Sequence, residues 1–305
     1  MQLFDLTDKN VLITGGTRGI GYAIAQGVKQ AGGRVWIHGS SEDRTRRIAE
    51  ENGFDYLYGD LRDQEGLDGM LRPFLTREDR LDVLINNAGF ETHSAIENAE
   101  EESMDAIYNV NTKSPYFLLQ KLLPALKKAG RASVINVTSI HQKVPVRENG
   151  YYCMAKASLG MFTKVAALEL AKYGIRVNNL APGAILTDMN RELVEAMDFE
   201  KWIPIGRVGR ADELIGPAVF LASDASSYVT GTTLRILILC GGLRRGFIKE
   251  VSICLIPGTV WGITWTIIQE DGRRYFPTEE ESAATKALVW GCTGRFQVCR
   301  GIAGS

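Results

Sequence analysis

A tyrosine followed four residues later by a lysine, Tyr152-Cys153-Met154-Ala155-Lys156, is the pairing in this chain with the most direct chemical meaning. On a helix the two side chains lie one turn apart on one face. A phenol titrates at about 10, too high to pass a proton readily in either direction at neutrality. An ammonium one turn away favours the phenolate and is expected to lower that value. Tyr152 then serves as acid and base for a carbonyl or alcohol oxygen. Tyr151 has no lysine four positions on and is read as packing.

The second chemical signal is a glycine loop. Val11-Leu12-Ile13 runs straight into Thr14-Gly15-Gly16-Thr17-Arg18-Gly19-Ile20-Gly21, followed by a helical pattern. Gly15, Gly19 and Gly21 let the backbone turn tightly and approach a pyrophosphate, whose charge is met by amides at the helix start. Such a loop on the first strand of an alternating α/β chain points to a nicotinamide dinucleotide. Binding sites for NAD usually carry an acid after the second strand, for the ribose 2′-hydroxyl. Here that strand ends His38-Gly39-Ser40-Ser41, with no carboxylate to repel a 2′-phosphate. Ser40 and Ser41 can donate to one, and Arg18 can pair with it. NADP is therefore expected, with NAD as the alternative, although Glu42 and Asp43 lie close by.

The elements that must position these groups are legible as alternation. Val11–Ile13, Val35–Ile37, Val83–Ile85, Val134–Val137 and Val177–Leu180 are short and mostly β-branched, as parallel strands buried on both faces are. Between them run longer periodic stretches, among them Tyr22–Gln30, Phe117–Lys128 and Ala157–Lys172. Repeated strand-helix-strand units predict an α/β fold, a doubly wound parallel sheet with helices on both faces. A last strand is expected over Arg235–Leu239, stopped by Gly241-Gly242. A boundary is expected there, with residues 1–243 forming the dinucleotide-binding domain and 244–305 an atypical C-terminal extension.

In that extension, Val251 to Ile268 is the most apolar stretch and is long enough to cross a membrane. Pro257-Gly258 splits it, however, and its Thr, Trp and Ile enrichment points to a hairpin. The extension is read as an added subdomain, a partner-binding segment or a stretch translated out of its ancestral frame.

Composition narrows the classes. The chain has 305 residues, 45% hydrophobic and 23% charged, with a formal net charge of -1. That suits one sizeable core and gives no electrostatic reason for nucleic-acid or membrane partners. The odd set of five cysteines contains no C-x-x-C pair, so no metal site is expected. Met1 to Asn10 does not read as a secretory leader, and a cytoplasmic chain is expected.

Taken together, these motifs resemble the short-chain dehydrogenase/reductase family. The glycine loop fits its T-G-x-x-x-G-x-G pattern, Asn86-Asn87-Ala88-Gly89 its N-N-A-G segment, and Tyr152 to Lys156 its Y-x-x-x-K motif. Pro182-Gly183 follows the sixth strand in the family's place, with Thr187 just beyond. The resemblance implies an enzyme moving a hydride between nicotinamide and a carbonyl or alcohol carbon, as a homo-oligomer (a dimer or tetramer). It implies Asn111, Ser139, Tyr152 and Lys156 as the catalytic set, with Asn111 holding a water that links Lys156 to solvent.

The same resemblance implies cofactor contacts from Gly15, Thr17, Arg18, Gly19, Ile20, Gly21, Asp60, Leu61, Asn87, Ala88, Gly89, Pro182, Gly183, Ile185 and Thr187. Asp60 would meet adenine, although capping the next helix suits it equally. Ile185 would offer backbone groups to the carboxamide.

Substrate choice falls to loops after the strand ends. Glu91, His93, His141, Gln142 and Glu148-Asn149 sit there, and with Ser139 and Tyr152 they suit a hydroxylated small molecule. Within the family the loops look most like glucose 1-dehydrogenases and gluconate 5-dehydrogenases. Two alternatives stand beside a sugar or polyol oxidoreductase. One is a 3-oxoacyl-(acyl carrier protein) reductase, with Lys113, Lys143 and Arg147 as a basic docking patch. The other is a non-catalytic nucleotide sensor on the same scaffold.

Overall fold

The computed structural model describes residues 2–187, 203 and 205–236, and the backbone of 250–256, 260–268 and 274–275. The chain divides into two compact units, Met1–Leu239 and Cys240–Ser305.

The first unit is built on a parallel sheet. Its strands are β1 (Asn10–Thr14), β2 (Arg34–Gly39), β3 (Asp55–Tyr58), β4 (Val83–Asn86), β5 (Ala132–Val137), β6 (Ile175–Pro182) and, last in the sheet, β9 (Thr233–Ile236). They lie in the order β3-β2-β1-β4-β5-β6-β9. A short parallel pair, β7 (Ile185–Leu186) and β8 (Gly209–Arg210), forms separately after β6. The main helices are α1 (Gly19–Gln30), α2 (Glu42–Asn52), α3 (Leu67–Arg77), α4 (Glu101–Tyr108), α5 (Ser114–Lys128), α6 (Gly150–Leu170) and α7 (Ile215–Ala222). The expected doubly wound sheet is present, with one strand not singled out from sequence. That strand is β3, whose Asp55-Tyr56-Leu57-Tyr58 buries Leu57 alone at the sheet's edge.

Side-chain alternation divides the core into two layers. Leu12, Trp36, Leu84, Val134 and Val177 point to one face, against Phe74 of α3 and Leu118 and Leu122 of α5. Val11, Ile13, Val35, Ile37, Val83, Ile85 and Ile135 point to the other, against Ile24 and Val28 of α1 and Ala218 of α7. Both faces are covered, which is why these strands read as near-continuous apolar runs. The order reverses between β1 and β4, and a crevice opens there beyond the strands' carboxyl ends.

A buried polar chain crosses the first of these layers. Asn86 Nδ2 donates to Asn136 Oδ1 (2.8 Å), and Asn136 Nδ2 to Thr163 Oγ1 (2.7 Å). The Thr163 hydroxyl reaches Asn179 Oδ1 (2.6 Å), and Asn179 Nδ2 donates to Thr233 Oγ1 (3.1 Å). Strands β4, β5, β6 and β9 are thereby tied through one hydroxyl on α6, the helix that carries Tyr152 and Lys156. Low dielectric makes such a chain costly to break.

In the second unit, β10 (Glu250–Ile256) pairs antiparallel with β11 (Val260–Ile268), and β11 with β12 (Arg274–Tyr275). This is the expected hairpin, and its Ile256↔Val260 pair brackets the Pro257-Gly258 site. Pro257, Gly258 and the expected strand end Leu237–Leu239 lie outside the described residues. Among the described residues no helix is long and apolar enough to cross a membrane.

Replacing Thr163 by Val leaves a buried amide donor on Asn136 and a buried acceptor on Asn179 unpaired. Each such loss costs about 1–3 kcal/mol, so chemical unfolding should show stability lowered by roughly 2–6 kcal/mol. An unchanged unfolding midpoint would remove the network from the account of how α6 is held.

Candidate active site

One cleft of about 680 Å³ lies over the carboxyl ends of β1, β4, β5 and β6. That is within the usual range for small-molecule sites, about 300–1,000 Å³. At one end it is lined by the glycine loop. Gly15 has φ +65°, and a Cβ there would press within 2.9 Å of the Ala88 backbone. The N-N-A-G segment is clamped onto this loop. Asn87 and Ala88 both donate their backbone N–H to Thr14 Oγ1 (3.0 Å each). Asn87 Nδ2 donates to the Thr14 and Gly15 carbonyls (3.0 and 3.1 Å). The Asn87 side chain thus shapes the loop as well as lining the cleft.

Of the cofactor residues expected from sequence, all but Ser41 line this cleft. Ser41 stands at the N-cap of α2, exposed, its carbonyl accepting from the Thr45 N–H (3.0 Å). Ser40 remains in the wall. Glu42 and Asp43, the acids nearest this strand end, do not line the cleft. Glu42 acts on Tyr58, and Asp43 pairs with Arg46 (2.8 Å). The exposed Arg18 guanidinium has no hydrogen bond or ion pair among the described residues.

Asp60 neither caps the next helix nor offers a bare carboxylate. Arg62 grips it through Nη2 to Oδ2 (2.6 Å) and Nε to Oδ1 (3.1 Å), holding its carboxyl below the usual range. The turn before α3 is held by Asp63 instead, whose Oδ1 accepts from Glu65 N–H (3.0 Å) and Gly66 N–H (3.1 Å). Arg62 is a cleft residue that sequence reading passed over, because a lone arginine in a polar loop carries no pattern.

Ser139, Tyr152 and Lys156 meet at the other end, with Glu91, His93, His141 and Asn149 around them. Gln142 lies outside the lining and packs toward Gly160 of α6. The exposed Lys113, Lys143 and Arg147 are also outside it. Ser139 Oγ accepts from the His141 N–H (3.1 Å), which leaves its own proton to donate. Lys156 is 3% exposed, and its Nζ donates to the Val137 carbonyl (2.9 Å) and sits 5.5 Å from the Tyr152 ring centre.

Burial moves the two groups in opposite directions. It pushes the Lys156 ammonium down to about 8, with the Glu91 charge opposing. It pushes the Tyr152 phenol above its ordinary value, aided by Glu91 and countered by the Ser139 hydroxyl. The expectation that Lys156 lowers the phenol's pKa is therefore corrected for the free protein. The spacing is right, but desolvation dominates, and the lysine gives up its proton before the phenol ionises.

Asn111 stands behind the cleft wall, fully buried in the π-helical turn Asn109–Lys113 between α4 and α5. Its Nδ2 donates to the Phe90 and Ile107 carbonyls (2.9 and 3.0 Å), while its Oδ1 is buried without a partner. A Cβ on Gly89 would lie 2.5 Å from that oxygen and 3.2 Å from Lys156 Nζ, so both groups face the same glycine. Among the described residues no cluster of His, Cys, Asp and Glu could hold a metal ion.

Residues 15–238 match the family model described as enoyl-(acyl carrier protein) reductase. The chain is 35% identical over 245 residues to a 3-oxoacyl-[acyl-carrier-protein] reductase of Chlamydia pneumoniae, covering 78% of this chain and 98% of the relative. It is 36% identical over 255 residues to an L-rhamnose 1-dehydrogenase (NAD(P)(+)) of Azotobacter vinelandii, covering 78% and 97%. A gluconate 5-dehydrogenase from Burkholderia cenocepacia, solved with NADP and tartrate, superposes with a TM-score of 0.72 at 33% identity, covering 77% and 96%. The chain belongs to the short-chain dehydrogenase/reductase family. This short-chain dehydrogenase/reductase is an oxidoreductase of CH–OH groups.

His38, at the end of β2, gives the site a pH limit. Its Nε2 meets the Gly59 carbonyl (3.0 Å), its Nδ1 is buried without a partner, and burial lowers its pKa from 6.5 to about 4. A depressed folded-state value means the neutral ring's contribution is complete above pH 6.5 and is lost as pH falls toward 4. That shift corresponds to about 3 kcal/mol. His38→Gln should lack this slope, so unfolding measured from pH 7 to 4 should show wild type losing about 3 kcal/mol more than the variant. Parallel curves would contradict the assignment.

Proposed function

We propose that this chain is an NADP(H)-dependent oxidoreductase acting on a sugar, polyol or related small hydroxylated molecule, with the activity carried by residues 1–243. The observation that carries the reading is the cleft's division into two chemically distinct ends. One offers the glycine loop, Ser40 and an unpaired Arg18, with Asp60, the only carboxylate lining it among the described residues, engaged by Arg62. That set fits a dinucleotide bearing a 2′-phosphate better than one bearing a bare ribose. The other end offers a phenol, a hydroxyl and a buried amine.

When bound, the nicotinamide supplies or accepts the hydride. This chain's residues manage the oxygen. Ser139 donates a hydrogen bond to it, and Tyr152, a neutral phenol in the free protein, donates the proton that completes reduction. Lys156 and the unpartnered Asn111 Oδ1 form the return path for that proton, with a water joining them beside Gly89. In the oxidative direction the phenol must be brought down, and added positive charge in the cleft serves that end.

The gluconate 5-dehydrogenase and L-rhamnose 1-dehydrogenase relatives support a hydroxylated substrate. The 3-oxoacyl-[acyl-carrier-protein] reductase relative supports the second reading, in which an acyl chain occupies the same end. Retention of Tyr152, Lys156, Ser139 and Asn111 around one cleft speaks against a non-catalytic sensor. The protein assembles as a homo-oligomer, a reading supported by exposed Met154, Met161, Val165 and Leu168 along α6.

The test is a panel of sugars, polyols and oxo-thioesters with each nicotinamide cofactor, followed by absorbance of the reduced form. Turnover of hydroxylated substrates with NADP is expected. Arg18→Ala should raise the KM for NADP about 10–100-fold while leaving NAD nearly unchanged, the loss expected of a charge-assisted contact. Efficient turnover of acetoacetyl thioesters with none of aldoses, ketoses and aldonates would overturn the substrate reading. Equal effects of Arg18→Ala on both cofactors would overturn the cofactor reading.

A further inference from the structure

The reacting end of the cleft is furnished with hydrogen-bond acceptors, and the most prominent is a fixed carboxylate. The loop carrying Glu91 is stapled to the start of α6. Ser94 and Asn149 form a parallel β-bridge, and the Ser94 N–H donates to the Glu148 carbonyl (2.7 Å). Within that frame Asn149 Nδ2 donates to Glu91 Oε2 (3.0 Å). The other oxygen, Oε1, lies 3.8 Å from His93 Nε2, and the Glu91 side chain keeps 31% of its surface open. Its charge is felt at both Tyr152 and Lys156.

Two further acceptors stand beside it. Asn149 is 3% exposed, and its Oδ1 is buried without a partner. His141 Nδ1 lies 2.9 Å from the Val144 carbonyl. A carbonyl can only accept, so Nδ1 carries the proton, and the neutral ring keeps its lone pair on Nε2. The His141 ring centre is 6.5 Å from that of Tyr152.

Among the described residues lining the cleft, no cation outside the catalytic and cofactor sets offsets these acceptors. Among the described residues lining the cleft, the lysines and arginines are Arg18, Arg62 and Lys156. Arg18 belongs to the glycine loop, Arg62 is spent on Asp60, and Lys156 is tied to the Val137 carbonyl. Among the described residues, a carboxylate substrate would therefore face Glu91 with only the buried Lys156 ammonium to offset it, whereas hydroxyl groups would find partners. Specificity of this kind rests on the repelling element as much as on the attracting one.

We propose that this end selects neutral, multiply hydroxylated substrates, an aldose or a polyol, over carboxylates such as aldonates, with Glu91, held by Asn149, as the specificity-determining residue. The inference rests on the hydroxylated-substrate reading above and narrows it.

The experiment measures kcat/KM of the full chain, with its preferred cofactor, on aldoses and polyols, on aldonates matched to them carbon for carbon, and on an acetoacetyl thioester. The best neutral substrate should exceed its matched aldonate by at least about tenfold. Glu91→Gln should shrink that ratio by at least about tenfold, raising KM for the neutral compound and improving the aldonate. Glu91→Ala serves as a second variant, and melting temperatures show which variants are folded. Aldonate turnover equal to or better than neutral turnover would overturn the inference while leaving the hydroxylated-substrate reading intact. So would an unchanged ratio in a folded variant. Turnover of the thioester alone would overturn both.

Discussion

The structure depends on a lysine amine held inside the protein. Lys156 can be buried because the Val137 carbonyl, at the very end of β5, accepts from it at 2.9 Å. That hydrogen bond ties α6 to the end of β5 one turn after Tyr152. The same burial lowers the affinity of Lys156 for its proton and strengthens that of Tyr152. Proximity alone would have made the phenol acidic. Proximity in a dry site keeps the phenol neutral and weakens the hold of Lys156 on its proton, and a neutral phenol is the form that can give a proton to a carbonyl oxygen.

The rest of the fold keeps this arrangement in register with the dinucleotide end. The reversal of strand order between β1 and β4 opens the crevice, and the Thr14–Asn87 clamp joins its two lips. The polar chain through Thr163 ties α6 to the strands that carry Ser139 and Pro182 at their ends. Polar groups buried at this depth specify one packing of the helix where apolar contacts alone would allow it to slide.

Much of this was legible in the sequence because the signals were local. The glycine loop, the Y-x-x-x-K spacing and the β-branched runs each follow from neighbouring residues, and the structure brings them to one cleft. The Val251–Ile268 hairpin was legible from a Pro-Gly turn in an apolar, β-prone stretch. What was not legible depends on distant partners. Asn86, Asn136, Thr163 and Asn179 read as ordinary strand and helix polars until the fold aligns them. Ser40 and Ser41 are chemically alike, and only the start of α2 decides which one faces the cleft. β3 buries a single leucine at the sheet edge, and the edge itself is a property of the whole topology. The direction of the Tyr152 shift escaped for the same reason, since spacing shows proximity and says nothing of desolvation.

The claim that the free protein holds Tyr152 as a neutral phenol beside a lysine that titrates first is open to direct observation. The measurement is ¹³C NMR of tyrosine-labelled protein across pH, with Tyr152→Phe identifying the resonance. The account predicts that this resonance keeps its neutral position past the pH at which an exposed tyrosine, of pKa about 10, has begun to ionise. A Tyr152 resonance that moves to the phenolate position near neutral pH in the free protein would contradict it.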